Sequence, residues 1–272
     1  MHRGPQPVPR PVPIGDPLKT FIAIPAYNCA PQITRVLDEI DTDLAARVEE
    51  IWVIDNRSTD GTAEVAVAYA ANGRLPNLRV FQTQQNNNLG GTHKVAFNHA
   101  AALGGTHVAI LHGDNQAKSS EVGLLLDVAE SGKAQTVLGS RFSKGSTLQG
   151  YDWKRIAGNR VLNAIYSVVA LRKLSDLGSG INLFALSDLD SKTYQRFADK
   201  LTFNFELLLD LVSRKVRFVY VPITWREDDQ VSNARNWNIF RTALVNLLKW
   251  RLGALHGEDT TGRNYEWTEV KA

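Results

Sequence analysis

Short apolar runs alternate along the first half of the chain with stretches in which apolar positions recur every three or four residues, a pattern that predicts strand, helix, strand, helix. Phe21–Ile24 reads as a strand stopped by Pro25, and Ile33, Val36, Leu37, Ile40 and Leu44 follow at helical spacing. Ile51–Ile54 predicts a second strand, ended by the polar turn 55–61 and an alanine-rich helix over Thr62–Ala71. A third strand at Leu78–Phe81 leads through a loop at 84–91 to a helix over Lys94–Leu103. A strand at Val108–Leu111 and a helix over Glu121–Ala129, capped by Ser119 or Ser120, complete the series. Such an order calls for right-handed crossovers and a mostly parallel sheet flanked by helices on both faces.

The second half changes character. It predicts strands at Thr136–Leu138, Gly180–Leu186 and Phe218–Val221, and helices at Trp153–Leu171, Phe203–Val212 and Ile239–Leu255. The last of these gathers Phe240, Ala243, Leu244, Leu247 and Leu248 on one side, with Arg241, Lys249 and Arg251 beside them. It is therefore an amphipathic helix that either packs against the core or lies at one edge on an anionic membrane. No internal repeat is evident.

Composition narrows the class. A chain of 272 residues suffices for one domain with additions, and 43% hydrophobic with 22% charged residues is ordinary for a soluble globular protein. A net charge of +3 is too weak for a nucleic-acid footprint but suits an anionic substrate or an acidic membrane surface. Cys29 is the single cysteine, which excludes an intrachain disulfide and fits a reducing compartment. Six of the ten prolines fall within the first seventeen residues, so 1–17 is expected to be a disordered arm. Residues 18–235 then form the main domain, and 236–272 an amphipathic helix with a mobile tail in which Tyr265 and Trp267 could dock. The arm lacks the apolar core of a signal peptide, and no run reaches the roughly 20 apolar residues that span a bilayer. Membrane contact, if made, is peripheral, and the expected location is cytoplasmic, on the inner face of the membrane.

The candidate chemistry sits where predicted strands end. Val108–Leu111 runs into His112-Gly-Asp-Asn-Gln116, and ligands of parallel sheets gather beyond the carboxyl ends of the strands. Asp114 and Gln116 offer hard oxygen atoms suited to manganese or magnesium bridging phosphate oxygens; alternatively Asp114 caps an Asx turn. Asp55 directly ends a strand and reads as a ligand for a base or ribose, whereas Asp60 reads as a helix cap. No Gly-X-Gly-X-X-Gly follows the first strand, which disfavours a dinucleotide-binding dehydrogenase.

Ile24-Pro-Ala-Tyr-Asn28, Val53-Ile-Asp-Asn-Arg-Ser-Thr-Asp-Gly-Thr62, Asn88-Leu-Gly-Gly-Thr-His-Lys94 and His112-Gly-Asp-Asn-Gln116, taken in order and spacing, resemble glycosyltransferase family 2. That resemblance implies the GT-A fold, a nucleotide-binding sheet within 18–235, and transfer of sugar from a UDP- or GDP-sugar donor. It implies that Pro25, Tyr27, Asn28 and Asp55 hold the nucleoside, and that Asp114 and Gln116 bind the metal on the donor diphosphate. Lys94 and His112 become further donor contacts. Gly139-Ser-Arg-Phe142, Trp153-Lys-Arg155, Asp176-Leu-Gly-Ser-Gly180, Phe203-Asn-Phe-Glu206 and Val221-Pro-Ile-Thr-Trp-Arg226 look more narrowly like dolichyl- or polyprenyl-phosphate sugar transferases. By that likeness Arg141, Arg155 and Ser179 meet the acceptor phosphate and Arg226 the donor phosphates, a task the guanidinium fork suits. His112 and Cys29 depart from the acidic residues common there, and Asp228 and Asp229 from a basic segment, for which Arg235 would compensate.

An already ionised phosphate acceptor needs no base, whereas a sugar hydroxyl does. The Glu-Asp pair of relatives acting on hydroxyls is missing near Phe203-Asn-Phe-Glu206, which favours a phosphate acceptor and leaves Glu206 as a base or a structural hydrogen-bond acceptor. Direct displacement would invert the anomeric centre. Two rival readings stand beside this inverting lipid-phosphate transferase of cell-envelope glycan synthesis: a soluble family 2 enzyme extending a polysaccharide from a sugar hydroxyl, and a non-catalytic nucleotide-sugar binding protein.

Overall fold

The computed structural model describes Pro13 and residues 17–227, 236–254 and 263–271. Most of the expected proline-rich arm, the tail from 255 to 262, and Asp228, Asp229 and Arg235 lie outside the described residues.

The chain runs β1 (Thr20–Ala26), α1 (Ala30–Asp38), α2 (Thr42–Ala46), β2 (Glu50–Asp55), α3 (Thr62–Ala71), β3 (Leu78–Thr83), α4 (Asn88–Ala102) and β4 (His107–Leu111). It continues with α5 (Val122–Glu130), β5 (Thr136–Ser140), β6 (Thr147–Gln149), α6 (Trp153–Val169), β7 (Ile181–Ala185), α7 (Ser191–Tyr194) and α8 (Phe203–Ser213). The last elements are β8 (Phe218–Pro222), β9 (Thr224–Arg226), α9 (Asn236–Arg251) and β10 (Trp267–Glu269). Eight strands form one sheet in the order β10-β3-β2-β1-β4-β7-β5-β8, while β6 and β9 pair separately. The β1–β2, β2–β3, β1–β4 and β5–β8 pairs are parallel; β7 is antiparallel to both neighbours, and β10 to β3.

Both faces of the sheet are covered, and the alternation along β1 shows how. Ile22 and Ile24 join a core with Val36, Leu37, Ala66 and Leu125 of α1, α3 and α5, whereas Phe21 and Ala23 join one with Phe97, Leu207 and Ala243 of α4, α8 and α9. Successive strand side chains point to opposite faces, so a strand buried on both sides reads as an unbroken apolar run.

Three elements differ from the expectations. The helical spacing from Ile33 to Leu44 covers two helices, because Asp41 takes an extended conformation and its carboxylate accepts the Leu44 amide at 2.7 Å, starting α2 anew. Helix α4 begins at Asn88, six residues before the predicted start, and runs through Gly90 and Gly91. A Cβ on Gly90 would lie 2.5 Å from Phe203 Cβ and 2.6 Å from the Ala198 carbonyl oxygen, so this glycine permits close helix packing where the sequence reads as a loop. The tail, expected to be mobile, includes β10 on the edge of the sheet: Trp267 stacks on Phe81 with ring centroids 4.1 Å apart.

Candidate active site

Strands β1, β2 and β4 end together. Ala26 is in register with Asp55, and the Gly113 amide donates to the Pro25 carbonyl at 3.0 Å, which brings three loops to one edge of the sheet. They border a cavity of about 320 Å3 whose lining includes Pro25, Tyr27, Asn56, Thr92, His112 and Asp114. Tyr27 is half exposed there and offers an aromatic face. Gly61, not Asp60, stands at the N-cap of α3; the Asp60 carboxylate accepts from the Thr62 amide and hydroxyl and from the Ala30 amide, tying the β2 turn to α1.

The turn after β4 carries the metal candidates. Asn115 takes a left-handed conformation (φ 59°), and the Asp114 carboxylate accepts the Gln116 amide at 3.2 Å, so an Asx turn is present. Burial pushes the Asp114 carboxyl up to about 6, against the opposing pull of the Gln116 amide. A recessed carboxylate that ion-pairs with no cation among the described residues is suited to receiving a metal ion. Among the described residues no group of three or more His, Cys, Asp or Glu side chains could hold a metal. Asp114 and Gln116 carry hard oxygen atoms of the kind that suit a divalent cation. Arg226 lies beside this turn: its amide donates to the Gln116 carbonyl at 2.8 Å, and its guanidinium donates to Glu39 Oε1 at 2.7 Å and Asn115 Oδ1 at 3.2 Å. Its buried Nε has no partner among the described residues.

A second cavity, about 610 Å3, opens between α6 and α9. Its lining combines cationic and polar side chains, Arg141, Lys154, Arg155 and Asn159, with apolar ones, Leu162, Phe205, Ile239 and Phe240. Arg141 is held by a fork to Asp176, Nε to Oδ2 at 2.8 Å and Nη2 to Oδ1 at 2.7 Å, and lies 4.9 Å over the Trp225 ring. Burial disfavours its charge, but Asp176 outweighs that and holds its pKa above the usual arginine value. Arg155 donates to both oxygens of Glu227 at 2.6 and 2.5 Å. His112 and Leu201 line both cavities. Burial, with a smaller push from Arg141, lowers the His112 imidazole to about 4, so the ring is neutral at physiological pH, and its Nε2 has no partner among the described residues.

Five expected site residues are placed differently. The Lys94 ammonium is buried away from the donor cavity, 2.6 Å from Asp199 Oδ1 and bonded to the Gln195 and Phe197 carbonyls, because α4 starts early and turns this side chain inward. Asp55 is fully buried and accepts from Ser58 N and Gln82 Nε2; its neighbour Asn56 lines the cavity instead. Asn28 shapes the loop by accepting the Thr59 amide. Glu206 is buried, accepting from Ala198 N and Asn246 Nδ2, which makes it a structural acceptor. The Ser179 hydroxyl donates to the Ile181 carbonyl and is buried. Sequence reasoning missed Glu39, Asn56, Tyr151 and Leu201. Tyr151, 4.9 Å beneath Arg155, stands four residues before it and was the most readable of these.

A mostly parallel sheet flanked by helices, with two adjoining cavities that share His112 and Leu201, has the architecture of the GT-A glycosyltransferases. The glucosyl-3-phosphoglycerate synthase of Mycobacterium tuberculosis, solved with Mn2+, UDP and phosphoglyceric acid, superposes with a TM-score of 0.65 at 17% identity, covering 94% of this chain and 87% of that one. Residues 21–189 match Glycosyl transferase family 2, and the chain belongs to that family. The polyprenol monophosphomannose synthase of Mycolicibacterium smegmatis is 23% identical over 242 residues, 85% of this chain and 86% of that protein. The undecaprenyl-phosphate mannosyltransferase of Micrococcus luteus is 22% identical over 241 residues, 87% of this chain and 96% of that protein.

Proposed function

We propose that this chain transfers a sugar from a nucleotide-sugar donor to a polyprenyl phosphate, with inversion at the anomeric carbon. The observation that carries this reading is the adjacency of two unlike cavities. One is framed by Tyr27 and the Asp114 turn; the other is lined by both arginines and apolar side chains, and both share His112 and Leu201. A lipid phosphate has the same polarity as the second cavity, and its charge would lie against Arg141 and Arg155. The relatives named for transfer to lipid phosphates support the same acceptor class.

In this mechanism the protein positions and the acceptor reacts. The phosphate oxygen is ionised before it attacks, so no base is required, and Asp152, the carboxylate in the acceptor lining, is engaged as the cap of α6. Arg226, beside the Asp114 turn and paired with Glu39, would stabilise the departing diphosphate as negative charge builds there. A manganese or magnesium ion on Asp114 and Gln116 would supply Lewis-acid stabilisation of the same leaving group.

The acceptor cavity also points to a peripheral membrane contact. Val161 and Val168, seven residues apart, and Leu171 are exposed on and after α6, and Val245, Leu248 and Leu252 are exposed on and after α9. Exposed Arg160, Arg241, Lys249 and Arg251 accompany these stripes, a composition suited to an anionic bilayer. No helix among the described residues is long and apolar enough to cross a membrane. The test is a screen of UDP- and GDP-sugars with Mn2+ and a short polyprenyl phosphate. An acid-labile product in the organic phase is expected. Transfer only to a sugar hydroxyl or to phosphoglycerate would replace this acceptor, and no turnover with any nucleotide sugar would leave a binding protein.

A further inference from the structure

Residues 263–271 cross from the far edge of the sheet to the start of α4. β10 pairs with β3, the Gln84 amide donates to the Glu266 carbonyl at 3.1 Å, and Asn87 Nδ2 donates to the Asn264 carbonyl at 3.1 Å. Arg263 and Tyr265 then converge on one carboxylate, that of Asp199. Tyr265 donates to its two oxygens at 2.9 and 3.1 Å, Arg263 Nη1 is ion-paired to it, and Lys94 Nζ reaches it from inside α4. The Asp199 side chain is fully buried, so these three donors are what makes an ionised group tolerable there. Its backbone carbonyl accepts the amides of Gly90 and Gly91 at 2.6 and 3.2 Å, which locks the 197–201 segment to the first turn of α4.

The inner sides of these two segments line the 320 Å3 cavity, through Asn88, Leu89 and Thr92 on α4 and Leu201 two residues past Asp199. The strap is therefore on the back of the wall whose front would meet the donor. Resting on the reading of that cavity as the donor site, we propose that Arg263 and Tyr265 are positioning residues which act through Asp199 to hold the α4 start and Leu201 in the conformation that binds the nucleotide sugar. Lys94 belongs to this brace. The second cavity shares Leu201 with this wall, but its arginines are held separately, by Asp176 and Glu227.

The experiment uses the full chain, with Tyr265→Phe, which removes one hydroxyl, and Arg263→Gln with Arg263→Lys as the conservative control. Binding of UDP and GDP is measured by calorimetry with MnCl2, alongside separate KM values for donor and acceptor and the melting temperature. Arg263→Gln is expected to weaken nucleotide binding about tenfold with acceptor KM nearly unchanged, and Arg263→Lys to recover most of the loss. Nucleotide affinity unchanged in Arg263→Gln and Tyr265→Phe, or equal losses for donor and acceptor, would overturn the proposal alone. A wild-type chain that binds neither nucleotide would overturn the donor reading and the proposal with it.

Discussion

Asp114 is a recessed carboxylate raised to about 6 by burial, so its ionised form is a cost to the free protein that the proposed divalent cation would offset. Asp114→Asn should leave melting unchanged or slightly higher while removing manganese-dependent nucleotide binding and lowering transfer on the order of a hundredfold or more; calorimetry and thermal melts check both halves. Arg155→Ala should raise the acceptor KM about tenfold, roughly the cost of one charge-assisted contact, with little change for the donor. Equal increases for both substrates would remove Arg155 from the acceptor site. The buried histidines set the acid side of the stability curve. His93, with Nδ1 donating to the Leu89 carbonyl, is pushed down to about 3 by burial first and His112 second, and His107 to about 4 by burial. Folded values below the unfolded 6.5 mean that the unfolded chain takes up protons first. Their neutral-form stability is complete above pH 6.5 and is lost as pH falls towards 4. At pH 5 each costs on the order of 2 kcal/mol. The raised carboxyls of Asp114 and Asp188 work in the opposite direction. Melting temperature should therefore fall between pH 7 and 5, and His107→Gln should flatten that slope.

Helices and strands here are placed by contacts that local pattern does not contain. Gly90 and Gly91 look like a loop because glycine is a poor helix former, yet Phe203 and the Ala198 carbonyl leave no room for a Cβ at position 90. Gly90→Ala should cost about 1–3 kcal/mol by overpacking, despite alanine's better helix propensity, as urea unfolding would show. β6 and β9 have three residues each, too few for a periodic signal, and become strands by pairing with one another. The aromatic residues of β10 were readable as dockable, but the surface that accepts Trp267 is assembled from Phe81, Trp52 and His99 on separate elements.

At the scale of the whole molecule the two cavities adjoin, and the proposed membrane contact belongs to this level. Leu171, Leu248 and Leu252 are 91%, 61% and 71% exposed, so they contribute little to folding, and replacing all three with serine should change stability little. Sedimentation with anionic vesicles should drop several-fold in that triple variant, at roughly 25 cal/mol per Å2 of apolar surface withdrawn from the bilayer. Turnover of a short, soluble polyprenyl phosphate should persist. Vesicle binding equal to wild type would place the membrane face elsewhere.

The alternation of strands and helices along the first half, the apolar faces of the helices, and the strand-end motifs were legible in the sequence, because burial on both faces of a parallel sheet imposes apolar runs and ligands gather at the carboxyl ends of its strands. Asp114 was singled out that way, whereas Arg141, Arg155 and Arg226 were singled out by the resemblance to lipid-phosphate sugar transferases. What the linear pattern left open was which polar residues face a cavity and which face one another. Lys94, Glu206 and Ser179 carry the same chemistry as site residues, but Asp199, Asn246 and the Ile181 carbonyl meet them inside the protein. A buried polar group takes whatever partner packing brings within about 3 Å, and that distance is set by residues far away in the chain.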